Sequence, residues 1–102
     1  MSDIKVLEQR ALEIRRKYDA LNRGREAAEW DAKQLAQNFK KDVSELVAII
    51  ENRDIDNKKL RHELADCLWS VLVIARKLNI DIERAFWTTM EELDQRFKEG
   101  RA

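Results

Sequence analysis

With no proline and only two glycines, Gly24 and Gly100, this chain has few places to turn sharply. Sheets need frequent turns, and turns recruit Gly and Pro for backbone geometries that other residues reach at a cost. Their near absence predicts a few long helices joined by short connections. The apolar spacing agrees. After Asp3, a candidate cap, Ile4, Leu7, Ala11, Ile14, Tyr18 and Leu21 recur at steps of three and four. Asn22-Arg23-Gly24 ends this first helix, with Gly24 suited to a left-handed terminal position. Residues 25–30 read as a loop or an extra turn. Asp31 can cap a second helix whose stripe is Leu35, Phe39, Val43, Leu46 and Ile50, widened by Ala36 and Val47. Glu51-Asn52-Arg53-Asp54 stops it. Asp56 or Asn57 can cap a third helix running to about Leu78, where Asn79 and Asp81 break and restart the chain. Ile82, Ala85, Phe86, Met90, Leu93 and Phe97 mark a fourth.

Four helices with short connections predict an all-α fold, a four-helix bundle of antiparallel neighbours forming one domain over residues 1–102. The third helix is unusual. From Leu64 to Ala75 it is apolar on almost every side, the mark of a buried helix. A monomer of this size rarely surrounds one helix completely, so part of that surface is expected to face a second copy. The bundle is therefore expected to assemble into a homo-oligomer.

Charged residues make up 39% of the chain, but 20 basic and 20 acidic residues balance. That balance speaks against a charged disordered tail, and it removes the basic excess on which nucleic-acid binding usually rests. The single Cys67 cannot form an internal disulfide, which suits a reducing cytoplasm. The first residues are too polar for a signal peptide, and no apolar stretch is long enough for a membrane span.

Two pairs of acids stand out: Asp42 with Glu45, and Glu63 with Asp66. Residues three apart share a helix face, so each pair projects together. Both pairs adjoin apolar positions, and Asp66 lies between Ala65 and Cys67. An ionised carboxylate there is costly unless paired or bound to metal. If the two helices pack side by side, four carboxylates converge, and oxygen ligands select a hard ion such as Mg²⁺ or Mn²⁺. Acid pairs at this spacing are also common on solvated faces, and Lys41 or Arg61 could pair with them. Spacing alone leaves both readings open.

The segment Lys41-Asp42-Val43-Ser44-Glu45-Leu46, followed by His62-Glu63-Leu64-Ala65-Asp66-Cys67-Leu68-Trp69, resembles the MazG family. Typical members read "EEVGEL" on one helix and "EELGDVLW" on the next. Here 17 residues separate Glu45 from Glu63. The similarity continues through Leu78-Asn79-Ile80-Asp81-Ile82-Glu83, which is like "LGIDLEEA", and covers residues 30–98. The resemblance implies an all-α pyrophosphohydrolase that cleaves (d)NTPs to (d)NMPs and pyrophosphate, requires Mg²⁺ and works as a dimer or tetramer. It maps the metal-binding acids onto Asp42, Glu45, Glu63 and Asp66. Asp42 is Glu in most members, which keeps the charge and shortens the reach.

Other positions depart from the pattern. Lys41 stands where a carboxylate often helps activate water, leaving Glu45 as the candidate to orient or deprotonate it. Thr89 and Leu93 stand where a substrate-binding Lys and Asn are common, while Arg96 remains. Lys41 and Arg96 are candidates for phosphate, and Trp30 for stacking on a base or for the core. Trp69 is expected in the core. Of Phe86 and Trp87, one is expected in the core and the other at an interface. Cys67 is expected as a small buried hydrophobe. His62-Glu63 is not the start of a zinc-protease H-E-x-x-H, because position 66 is Asp. His62 is expected to be exposed or to support a neighbouring acid. The competing reading of the chain is a non-catalytic helical oligomer that binds nucleotides or partner helices.

Overall fold

The computed structural model describes residues 3–24, 29–52 and 56–100. Over these residues the chain is all-α, with α1 (Asp3–Gly24), α2 (Ala32–Glu51), α3 (Asn57–Lys77) and α4 (Ile82–Lys98) and no strand. Among the described residues no helix is long and apolar enough to cross a membrane.

Local chemistry sets the helix starts. Asp31 caps α2 through a full capping box: its carboxylate accepts from Gln34 N–H at 2.8 Å, and Asp31 N–H donates to Gln34 Oε1 at 2.9 Å. Asp56 accepts from the N–H groups of Lys58 and Lys59 at the start of α3. Asp81 accepts from Arg84 N–H at the start of α4. Each such cap contributes about 1 kcal/mol. At the end of α3, Asn79 adopts φ 60°, Asn79 N–H reaches Arg76 O, and Ile80 N–H reaches Ala75 O at 2.8 Å. This is a Schellman corner with asparagine in the left-handed position that glycine usually takes.

Two local expectations are corrected. Asp3 is itself the first helical residue of α1, and Gly24 is helical, not left-handed. Most of the ambiguous 25–30 stretch, and Arg53-Asp54 of the expected stop, lie outside the described residues; α2 ends at Glu51 with Asn52 as its C-cap.

Helix α3 is the centre of the packing. It runs along α2 over a long seam and along α1 over a shorter one. Ala11, Leu35, Leu72 and Val73 form the core, with Trp30, Trp69, Ile74 and Ile82 against it. Leu35 meeting Val73, and Asp42 meeting Ser70, make α2 and α3 antiparallel. Trp69 sits in the core as expected, its indole N–H donating to Ala11 O at 3.0 Å. A closed four-helix bundle does not form within one chain. Helix α4 is anchored by Ile82 but packs extensively along no other helix. Its stripe stays open: Phe86, Met90, Leu93 and Phe97 are exposed, Phe97 by 76%. Trp87 and Phe86 are both exposed and pack edge to face on each other, so neither is core. Helix α3 is likewise only half covered, with Leu64 and Leu68 exposed. The radius of gyration, 16.5 Å, exceeds the ~13 Å of a compact chain of this length.

Candidate metal centre

Helix α2 turns an unexpected face inward. Its buried residues are Leu35 and Asp42, seven apart and hence on one side, whereas Val43, Val47 and Ile50 of the apolar stripe are exposed. Asp42 is only 9% exposed. It is held by Ser70 Oγ, which donates across the seam at 3.2 Å, and by the Asn38 amide one turn earlier at 3.5 Å. The deeply placed acid is therefore Asp42. Asp66, which its apolar neighbours mark as the buried one, is a third exposed and lies 3.1 Å from His62 Nε2. The reason is rotational: Ala65 and Leu64 point outward, so apolar neighbours in sequence do not enclose Asp66 in space.

Glu63 joins the two sides. Asp42, Glu45 and Glu63 each place a carboxylate oxygen within 4.8 Å of the others, and His62, Glu63 and Asp66 do the same with their ligand atoms. The four acids thus form one cluster through Glu63. Burial pushes the Asp42 carboxyl above its ordinary range, and the charges of Asp66 and Glu45 push it further; the Ser70 hydrogen bond and Lys41 oppose them. Burial also raises Glu63, followed by the charges of Glu45, Asp66 and Asp42. Cys67, half-buried beside the cluster, has its thiol raised by burial and by the same carboxylates.

Whether a cation fits here is decided by one atom. Glu63 Oε2 is buried and receives no hydrogen bond. A buried carboxylate oxygen without a donor is costly, and like charges around it compound the cost. A divalent cation would supply the missing positive partner, and an all-carboxylate set suits a hard ion. Around Mg²⁺ adjacent ligand oxygens lie ~3 Å apart and opposite ones ~4 Å.

Two further candidates lie near the cluster. Trp30 and Lys41 line one shallow cavity of about 470 Å³ with Lys33, Gln34, Gln37 and Asn38. That cavity runs along α2 toward Asp42, because Asn38 also bonds this acid. Arg96 is not brought to the cluster: it lies exposed in the last turn of α4, which does not pack along α2. Residue-by-residue reading passed over Ser70 and Asn38. Both were detectable, since Ser70 is a lone hydroxyl at i+4 from Asp66 and i+7 from Glu63, and Asn38 is at i−4 from Asp42.

An all-α chain whose central helix seam carries a cluster of carboxylates offers the oxygen ligands that a hard cation takes. The chain is a member of the MazG nucleotide pyrophosphohydrolase domain family, whose profile matches residues 31–100, 70 of its 102 residues. No curated protein and no solved structure matches the chain.

Proposed function

We propose that the protein is a nucleoside triphosphate pyrophosphohydrolase that cleaves a (d)NTP to the (d)NMP and pyrophosphate. Asp42, Glu45, Glu63 and Asp66 hold Mg²⁺, or Mn²⁺ in its place. The observation that carries this reading is the unpartnered, buried Glu63 Oε2 at the junction of the four acids. The bound ion supplies charge neutralisation at the phosphates and a more acidic water.

The chain's own residues divide the remaining work. Ser70 and Asn38 fix Asp42 so that its oxygens face the seam. Glu45 is exposed, and its carboxylate is free to orient the attacking water and accept its proton. Attack at the α-phosphorus forms the new P–O bond, breaks the bond to the β-phosphate oxygen and releases pyrophosphate. Lys41 faces the phosphates, and Trp30 at the far end of the same cavity meets the base.

The active form is a homodimer or homotetramer. The accessible surface of 8320 Å² exceeds by roughly 2300 Å² the ~6000 Å² of a compact monomer of this mass. An obligate interface buries about that much. Association covers the stripes of α3 and α4, and it offers Arg96 of one copy to the cluster of another. The whole chain acts as one domain, in a reducing cytoplasm that keeps Cys67 free.

The test is pyrophosphate release over a panel of normal and modified (d)NTPs with Mg²⁺. Turnover of at least one substrate is expected, lost in Glu63→Gln and in Asp66→Ala. Lys41, standing where a carboxylate is common, favours one second reading, a binder without turnover. Metal-dependent nucleotide binding with no release across the panel identifies that binder and overturns the catalytic reading.

A further inference from the structure

At the opposite end of the α2–α3 seam lies a second cavity, of about 280 Å³, walled by α1, the start of α2 and the end of α3. Among the described residues four cations line it: Arg15, Arg16, Arg76 and Lys77. Among the described residues only two carboxylates do, and both are already engaged. Asp19 is buried against Arg15 at 3.1 Å, and Glu29 meets Lys77 at 3.0 Å. Arg16 and Arg76 have no ion pair among the described residues. The C-terminal dipole of α3 removes only about half a charge of this excess. Glu29 senses the field: its carboxyl is held below the usual range by the Lys77 hydrogen bond and charge, with Arg23 and Arg15 adding to it.

The cavity wall is rigid where it matters. Arg15 is fixed by Asp19 and covered by rings, its guanidinium carbon 5.0 Å from the Trp30 centroid, 5.6 Å from Tyr18 and 5.9 Å from Trp69. A planar, pre-set guanidinium with two further arginines nearby matches tetrahedral oxyanions in geometry as well as charge. The volume is at the small end of ligand cavities, which start at roughly 300 Å³, so it suits a small anion better than a whole nucleotide. The site is separate from the carboxylates. Val73 and Arg76 follow Asp66 by seven and ten residues, ~10 and ~15 Å along the helix axis.

We propose that this cavity binds a small phosphoryl anion, inorganic phosphate or pyrophosphate, through Arg15, Arg16 and Arg76. The function proposed above is not required for it, since no acid of the cluster takes part. Trp30 lines this cavity and also the one that leads to Asp42. An anion seated against Arg15 therefore adjoins the residue proposed to meet the base.

The experiment is a titration of the full chain with phosphate and, separately, with pyrophosphate. It is done at low ionic strength without divalent metal, reading the Trp30 indole N–H by NMR and the heat by calorimetry. Saturable one-to-one binding is expected, weakened at least about tenfold in Arg16→Gln/Arg76→Gln by loss of charged hydrogen bonds. Glu63→Gln is expected to bind as the wild type does, even where it abolishes turnover. Whichever anion binds more tightly is the assigned ligand. No saturable binding of either, or binding unchanged in the double variant while its circular dichroism melt is preserved, overturns the site. Chloride or acetate competing as well as phosphate does so too.

Discussion

Ser70 on α3 donates its hydroxyl to the buried Asp42 of α2 at 3.2 Å, so the deepest acid of the cluster is aimed by a residue that carries no charge itself. Ser70→Ala leaves Asp42 with the long Asn38 contact alone. The expected cost is about 1–3 kcal/mol, a drop in Tm of several degrees or more. Loss of an outer partner also weakens metal binding by about tenfold or more. Thermal melts with and without Mg²⁺ measure both. A variant matching the wild type in Tm and in Mg²⁺ shift would show that this bond positions nothing.

Stability of the metal-free protein should fall as pH rises through the weakly acid range. Asp42 and Glu63 both have carboxyls raised, chiefly by burial. Between the ordinary carboxylate value, about 4, and those raised values, the folded chain keeps protons that the unfolded chain has released. The slope is therefore negative there, and what these two groups contribute is retained on the acid side. Glu29, held low by Lys77, acts only at lower pH and with the opposite sign. Tm measured as pH is raised above the ordinary carboxylate value, about 4, is expected to decline. The decline is expected to shallow in Glu63→Gln and to vanish with saturating Mg²⁺. A Tm that climbs over the same interval contradicts this account.

Arg15 and Asp19 are nearly buried together, their side chains 12% and 11% exposed. Arg15→Ala strands a buried carboxylate and uncovers three aromatic rings, with an expected loss of about 3–5 kcal/mol in urea unfolding. Arg15→Lys restores the charge but not the planar cover, so it recovers only part of that loss. Arg15→Ala/Asp19→Ala should be more stable than Arg15→Ala alone. If Arg15→Ala unfolds within about 1 kcal/mol of the wild type, the pair is not a structural anchor.

Association is the fourth expectation. Leu93→Glu/Phe97→Glu places two charges on the open stripe of α4, where both side chains are exposed within one chain. Sedimentation velocity should show the wild type well above its 12.1 kDa chain mass and the variant shifted toward monomer. A wild type that sediments as a monomer at every concentration removes the interface from the proposal.

What could be read from residues alone follows the range of the forces involved. Caps are local, so Asp31, Asp56 and Asp81 announced three helix starts, and Asn79 announced the corner between α3 and α4. Spacing of three placed each acid pair on one face. Which acid is buried depends on how α2 is rotated against α3, and no single-helix pattern encodes that; Asp42 went in and Asp66 stayed at the rim. The apolar stripe of α4 was plain in Phe86, Met90, Leu93 and Phe97. That it lies open in one chain was not, because a stripe looks the same whether its own fold or another molecule covers it. The Arg15 cavity left no trace in spacing, since it is assembled from three separate helices.

The seam between α2 and α3 has opposite characters at its ends. Near Leu35 and Val73 it closes on apolar contact, and near Asp42 and Glu63 like charges push it apart. A divalent ion held at the repelling end, as proposed, would act as a clasp, so that loading the ion and shutting the seam would become one event. Opening at that end would then follow the free ion concentration, and limited proteolysis with and without Mg²⁺ would read it. On the proposed metal site, the ion-free chain is the form expected to be nicked first by an added protease.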